Sequence, residues 1–223
     1  MGLAIDKFKT ARQNMIDCQI KPNMVTDESV IEAFAKVPRE EFVPSYMRGI
    51  AYVDEDVDLG KGRFLMEPTT FARLLQAADI QESDIVLDIG CGTGYSMAIL
   101  SELASTVIGI DEDADFTAQA DQLLQDMDIC NVALIHGKTR EGYQNQAPFD
   151  VIFINGSVPH VPGYLTDQLA EGGRLITVLR GKSDPIGQAV LMTKNKGAVT
   201  TTTLFDASTH FVSGFDEQDY FTF

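Results

Sequence analysis

The stretch IVLDIGCGTGY, residues 85–95, decides the fold class. Its first half is a short apolar run typical of a buried strand, and its second half is rich in glycine. A buried strand that ends in glycines and leads into a helix is typical of an open α/β sheet, in which ligands bind beyond the carboxyl ends of the strands. Glycine lets the backbone approach a ligand closely because it has no side chain. The stretch therefore predicts a ligand-binding turn between a strand and a helix.

The glycine spacing indicates which ligand this turn binds. A dinucleotide site has the pattern G-x-G-x-x-G, whereas Gly90, Gly92 and Gly94 follow G-x-G-x-G and are followed by Tyr95. Asp88 precedes the first glycine by two positions, where its carboxylate can face a cationic group. This arrangement favours S-adenosylmethionine, which has a cationic methionine end and no phosphate. A nicotinamide site and a tight turn without a ligand stay open as alternatives.

A second carboxylate follows the next predicted strand, which reads VIGID and ends at Asp111. An acid at this strand end can accept hydrogen bonds from both ribose hydroxyls of a nucleoside ligand. Dinucleotide folds also place an acid there, and a solvated acid at a helix start is the alternative interpretation. The predicted donor-binding residues are Asp88, Gly90, Cys91, Gly92, Gly94, Tyr95, Asp111 and Glu112.

Apolar runs and helical patterns alternate on both sides of this stretch, which predicts βαβ units and a parallel sheet. We predict an α/β fold, a Rossmann-like doubly wound and mostly parallel sheet of about seven strands with N-terminal helices. Its C-terminal edge is an antiparallel hairpin that turns through 195–197. The predicted helices span 5–16, 27–37 (with Thr26 as N-cap), 71–78, 95–103, 116–127 and 161–169, and the predicted strands span 85–89, 107–110, 132–135, 151–154, 175–179, 189–193 and 199–204.

The length of 223 residues fits one domain. We divide residues 1–223 into an N-terminal helical extension with the substrate-side loop (1–78), a cofactor-binding core (79–182) and C-terminal strands (183–223). A tight turn at Gly172-Gly173 precedes the fifth strand, and 43–68 is predicted to be rich in loops.

Composition narrows the possible partners. The formal net charge is −16, which argues against nucleic acid and against anionic membranes as partners, because both attract basic surfaces. The three cysteines (Cys18, Cys91 and Cys130) are widely spaced and show no metal-ligand pattern, so we expect reduced thiols, a cytoplasmic location and no metal site. The N-terminal residues do not have the apolar core of a signal peptide.

Several motifs together resemble the protein-L-isoaspartate O-methyltransferase family. VPREEFVP at 37–44 resembles its N-terminal signature, and Gly60-Lys61-Gly62 and 86–95 resemble its substrate-side and cofactor motifs. APFDVI at 147–152 and LAEGGRL at 169–175 are similar to its later motifs. The resemblance implies S-adenosylmethionine-dependent methyl transfer to a carboxylate of damaged aspartyl residues in a peptide or protein.

The substrate-side segment differs from the family pattern, which implies alternatives. Where the family has Gln-Thr-Ile-Ser-Gln-Pro, this chain has Arg63-Phe64-Leu65-Met66-Glu67-Pro68, so Met66 stands at the serine that the family places at the reacting carboxylate. Lys138 stands where the family has an aspartate near the adenine amino group. We therefore assign no catalytic residue.

Three side chains are substrate-side candidates: Arg63, Glu67 and His160. Glu67 and His160 would serve as general bases for a hydroxyl or amine acceptor, and Arg63 would hold a substrate carboxylate. Four alternatives stay open: donor binding with another acceptor, such as a small molecule; an inactive relative; an NAD-binding oxidoreductase; and a non-catalytic interaction domain.

Overall fold

The structure is a computed structural model that describes residues 2–215, with the side chains of 7–215. Its helices and strands are α1 (Gly2–Met15), α2 (Glu28–Lys36), β1 (Val57–Gly60), β2 (Arg63–Leu65), α3 (Pro68–Ala78), β3 (Ile85–Ile89), α4 (Tyr95–Ser101), β4 (Thr106–Asp111), α5 (Ala114–Asp126), β5 (Val132–His136), β6 (Phe149–Val158), α6 (Gly163–Thr166), β7 (Leu169–Leu179), β8 (Gly187–Asn195) and β9 (Ala198–Ala207).

Seven strands form the main sheet in the order β5-β4-β3-β6-β7-β8-β9. The first five are parallel, whereas β8 and β9 are antiparallel to their neighbours. The predicted Rossmann-like sheet of seven strands with an antiparallel C-terminal hairpin is confirmed. Parallel strands need crossover connections, and these place helices over the sheet.

Alternate residues of the central strands pack on opposite faces of the sheet. One face, with Val86, Val107 and Val151, packs against α1–α5. The other face, with Leu87 and Ile108, packs against the short helical segments and the last described residues. The parallel register pairs Asp88 with Gly109 and Ile89 with Ile110. The glycine turn after β3 therefore lies beside the end of β4.

Two predicted helices begin or end elsewhere because side chains and strand pairing decide their limits. Thr26 is not the N-cap of α2: Asp27 is, since its carboxylate accepts hydrogen bonds from the backbone of Ser29 and Val30. The helix predicted over 161–169 is limited to Gly163–Thr166, because Leu169 pairs with Phe149 in the sheet.

Other departures arise from pairing that the sequence pattern does not reveal. Gly172 and Gly173 lie within β7, whose pairing with β6 shifts register around them. The helix predicted over 95–103 ends at Ser101. The predicted loop-rich stretch contains the β1–β2 hairpin, which turns through the left-handed residues Gly60, Lys61 and Gly62.

Aromatic rings join the N-terminal helices to the sheet. Phe71 of α3 packs against Phe34 of α2, Tyr95 of α4 and Phe153 of β6, with centroid separations between 5.4 and 6.0 Å. Such ring contacts add to the stabilisation from apolar burial. No helix in residues 2–215 is long and apolar enough to span a membrane.

Candidate active site

The glycine turn has the backbone that the sequence predicts. Gly90, Gly92 and Gly94 have φ values of 81°, 52° and 89°, in the left-handed region that other residues avoid. Gly94 also permits close packing, because an added Cβ would lie 3.1 Å from that of Ala120 in α5. Gly94 thus lets the N-terminus of α4 pack closely against α5.

Asp111 ends β4 beside this turn and is fully buried. Its Oδ2 accepts a hydrogen bond from the Gly92 backbone at 2.9 Å, and its Oδ1 accepts one from the Asp113 backbone at 3.0 Å. The structure therefore brings Asp111 and the glycine turn together, as the sequence predicts for a donor site.

Arg63 occupies the remaining side of the Asp111 carboxylate. Its Nη1 donates to Oδ1 at 2.8 Å and its Nη2 donates to Oδ2 at 2.5 Å. Burial alone would lower the pKa of Arg63, but its hydrogen bonds to Asp111 and the charge of Asp111 raise that pKa above its ordinary value. The predicted substrate-side residue Arg63 is thus bound to the predicted ribose acid.

Asp88 lies under the turn, fully buried. Its Oδ2 accepts a hydrogen bond from Ser96 Oγ at 2.5 Å, whereas its Oδ1 has no hydrogen-bond partner among the described residues. Burial raises the pKa of Asp88 to about 7, and the Ser96 hydrogen bond only partly opposes that rise. Asp88 therefore offers one unused polar atom beneath the turn and titrates near neutral pH.

Two of the predicted donor residues lie in the core. Cys91 is buried, and burial raises the pKa of its thiol well above the ordinary value, so it stays protonated. Tyr95 is buried among aromatic rings, with the Arg39 guanidinium carbon 5.0 Å from its ring centre. The side chains of Cys91 and Tyr95 therefore support the turn from below.

Glu112 and Lys138 lie at the other end of the edge. The Glu112 backbone carbonyl lies 3.1 Å from Nε2 of His136, which ends β5. Lys138 is exposed and forms an ion pair with Glu141 at 2.8 Å. Lys138 is thus engaged with its own helical turn.

The two unusual residues of the substrate-side loop, Met66 and Glu67, differ in burial. Met66 is buried, and its carbonyl accepts a hydrogen bond from Arg39 Nη2 at 2.8 Å. Glu67 is half-buried and accepts a hydrogen bond from Thr70 Oγ1. Burial raises the pKa of Glu67, which the Thr70 hydrogen bond opposes and the carboxylates at 54–56 reinforce. This side of the site is apolar at Met66 and acidic at Glu67.

A histidine–aspartate pair that the sequence analysis does not single out lies next to this loop. His210 Nδ1 lies 2.8 Å from Asp56 Oδ2, and the imidazole stacks on Phe64 of β2. Asp56 also accepts a hydrogen bond from the Glu67 backbone at 2.8 Å. His160, the histidine that we predicted near the acceptor, is exposed. No spacing signal could reveal this pair, because its members are 154 positions apart.

The last described residues cross the same edge of the sheet. Ser157 at the end of β6 donates its backbone N–H to His210 at 2.8 Å and accepts from Val212 at 2.9 Å. We name the four residues Val212–Phe215 the strap. Val212 packs against Gly90 of the glycine turn, and both Val212 and Phe215 are buried. The strap is thus part of the candidate site.

Comparison with known proteins agrees with this geometry. The family described as protein-L-isoaspartate(D-aspartate) O-methyltransferase matches residues 10–218. Curated proteins named protein-L-isoaspartate O-methyltransferase include one from Koribacter versatilis, 41% identical over 78% of this chain and 77% of the relative. Another, from Methanoculleus marisnigri, is 32% identical over 88% of each chain.

Solved structures give the same result for the fold. One protein-L-isoaspartate O-methyltransferase superposes with a TM-score of 0.80 and 26% identity, covering 92% of this chain and 67% of its own. A Plasmodium falciparum structure in complex with S-adenosyl-L-homocysteine has a TM-score of 0.77 and 21% identity, covering 93% and 98%. With the turn, the acid at β4 and these matches, the chain belongs to the protein-L-isoaspartate(D-aspartate) O-methyltransferase family.

Proposed function

We propose that this chain transfers a methyl group from S-adenosylmethionine to the carboxylate of an isoaspartyl residue in a peptide or protein. The matches confirm the predicted family, and its members are methyltransferases. The observation that carries the proposal is the left-handed glycine turn beside buried Asp111, in a chain whose family match extends from 10 to 218.

The residues along this edge fit the donor. Gly90, Gly92 and Gly94 leave the backbone of the turn open to a ligand at three positions, and Asp111 provides two carboxylate oxygens for ribose hydroxyls. The unused Oδ1 of Asp88 supports a polar or cationic ligand group beneath the turn. When bound, S-adenosylmethionine supplies an electrophilic methyl group on a sulfonium. We assign donor binding to the turn, Asp88, Asp111 and Glu112.

Methyl transfer to a carboxylate requires no general base from the protein. A carboxylate is already ionised and nucleophilic at neutral pH, so the protein needs mainly to align it and to exclude water. Buried Leu65 and Met66 provide an apolar wall for that purpose. Arg63, at the boundary between the two sides, is the nearby cation able to pair with an acceptor carboxylate.

A transfer assay with a labelled methyl group tests this proposal. The probes are an isoaspartyl peptide and the aspartyl peptide of the same sequence. We expect label on the isoaspartyl peptide alone, released as methanol by mild base because a methyl ester is base-labile. Equal background label on both peptides would overturn the proposed acceptor.

The Asp56–His210 pair favours a second candidate function, methylation of a hydroxyl or amine. Such an acceptor must lose a proton, and an imidazole oriented by a carboxylate is suited to accept it. A methylated hydroxyl or amine would retain its label through base treatment, and His210→Ala would abolish the transfer. A carboxylate acceptor would depend far less on His210.

We propose further that the chain works as one domain in the cytoplasm, with the 1–78, 79–182 and 183–223 division given above. Its described cysteines form no disulfide, which suits a reducing compartment. The charge of −16 supports peptide or small-molecule partners over nucleic acid. Cell fractionation with antibody detection tests the location.

A further inference from the structure

We propose that Arg63 and the strap occupy the donor cleft in the free protein, and that the donor binds only after Arg63 leaves Asp111. This inference rests on the proposed function, since it assumes that Asp111 is the ribose-binding acid. It makes Arg63 a residue that sets donor affinity by competition.

The hydrogen bonds of Asp111 show why Arg63 and the donor compete. A carboxylate has about four lone-pair positions, two on each oxygen. Oδ1 accepts from Arg63 Nη1 and the Asp113 backbone, and Oδ2 accepts from Arg63 Nη2 and the Gly92 backbone. The two backbone donors belong to the turn and to the start of α5. Only the Arg63 side chain can move away from Asp111 without disrupting the glycine turn or α5. Ribose hydroxyls must therefore replace its guanidinium.

The position of the strap shows why the strap and the donor compete for the same edge of the sheet. Val212 Cγ1 lies 2.9 Å from where a Cβ on Gly90 would be, so the valine fills the space that this glycine keeps clear. A Cβ on Gly214 would clash with both Glu112 and Thr139. The strap thus runs from the turn after β3, past the end of β4, to the segment after β5. A nucleoside held by Asp111 would need this same edge.

Among residues 2–215, few contacts attach the strap. Thr139 Oγ1 donates to the Ser213 carbonyl at 2.5 Å, and Val212 is bonded to Ser157. The main apolar anchor is Phe215, which is 4% exposed beside the sheet face that contains Ile110. The described contacts of these four residues lie outside the strand pairing of the sheet, so the strap can leave the edge without unfolding a strand, and the closed and open forms can interconvert.

Competition has a defined thermodynamic signature. When only a fraction of the molecules has the open cleft that can bind the donor, the apparent dissociation constant equals the intrinsic dissociation constant divided by that fraction. Weakening the closed form therefore tightens donor binding without adding any contact to the donor. A residue that merely supports the fold would have the opposite effect.

Calorimetric titration with S-adenosyl-L-homocysteine tests the proposal without depending on turnover. We expect Arg63→Gln to bind on the order of tenfold more tightly than the unmodified chain. Arg73→Gln is the matched control, because Arg73 of α3 stacks on Phe205 of β9 and makes no described contact with Asp111. Its affinity should equal that of the unmodified chain.

A second variant addresses the strap without touching Asp111 or the glycine turn. Phe215→Ala should also tighten binding, whereas Phe211→Ala should not, because Phe211 lies outside the strap, 38% exposed, against Arg180. Thermal unfolding confirms that each variant is folded. This pair keeps the proposal testable if Arg63→Gln does not fold.

The possible outcomes separate this inference from the proposed function. If the unmodified chain binds and both Arg63→Gln and Phe215→Ala bind equally well or more weakly, the inference is wrong and the proposed function stands. If neither the unmodified chain nor any variant binds, the cleft is not a donor site, and both the inference and the proposed function fail. Tighter binding by either variant, with unchanged controls, supports the inference.

Discussion

The proposed donor and acceptor sides of the site are built in different ways. The proposed donor residues lie at the ends of β3 and β4, whose pairing fixes them relative to one another. Acceptor-side residues lie on the β1–β2 hairpin and in the loops around it, where Asp56 and His210 meet only through the tertiary fold. Sheet register thus fixes the geometry of the proposed donor side, while the unusual residues Met66 and Glu67 lie just after the hairpin.

The largest expected effect is in the aromatic cluster that joins the N-terminal helices to the sheet beneath both sides of the site. Phe71 contacts rings from α2, α4 and β6, so Phe71→Ala should lower the free energy of unfolding by about 4 kcal/mol. Urea unfolding measures the loss. Phe211→Ala, at a partly exposed ring, should cost less than about 1 kcal/mol. A loss at Phe71 as small as the control's would show that the N-terminal helices and the sheet pack independently.

The second prediction concerns the donor side alone. Asp111→Ala removes both acceptors for the ribose, so affinity for S-adenosyl-L-homocysteine should fall on the order of 100-fold. Calorimetry measures the change, and Asp115→Asn, which removes an exposed acid of the same region, serves as the control. An unchanged dissociation constant would mean that the ribose binds elsewhere.

The third prediction uses the buried acid of the donor side. With its folded pKa at about 7, Asp88 keeps a proton that the unfolded chain loses at much lower pH. Stability should therefore fall as pH rises from about 4 to 7, because the folded form binds more protons there. Between pH 5 and 8 the free energy of unfolding should decrease by about 3 kcal/mol more in the unmodified chain than in Asp88→Asn.

Denaturant unfolding at several pH values provides the measurement for Asp88. Asp115→Asn, again the exposed control, should keep the full pH dependence of the unmodified chain. Parallel profiles for Asp88→Asn and the unmodified chain would show that Asp88 is ionised in the folded protein throughout this range.

The smallest effect is expected on the acceptor side. Met66→Ser with Glu67→Gln restores the family residue types at those positions and removes a negative charge beside an acceptor carboxylate. Methyl transfer to the isoaspartyl peptide should rise about tenfold, equivalent to about 1.4 kcal/mol. Initial rates at fixed donor concentration measure this increase. The single variant Glu67→Gln separates the effect of removing the charge from the effect of the hydroxyl introduced by Met66→Ser. A slower double variant would indicate another acceptor.

Sequence patterns reveal the donor side because its signals are local. Gly90, Gly92, Gly94 and Asp111 can be located from strand ends and glycine spacing alone. The β1–β2 hairpin, the Asp56–His210 pair and the strap depend on contacts across the fold, which periodicity does not encode. The helix expected at 161–169 fails for the same reason, since strand pairing at Leu169 overrides the apolar pattern.

Asp88 also makes the donor cleft chemically heterogeneous. A carboxyl group with a pKa of about 7 is protonated in about half of the molecules at neutral pH. A solution at that pH is therefore a mixture of two species that differ by one charge beneath the glycine turn. A cationic ligand selects the ionised species, so binding it releases protons to the buffer, and the measured binding enthalpy depends on the buffer chosen.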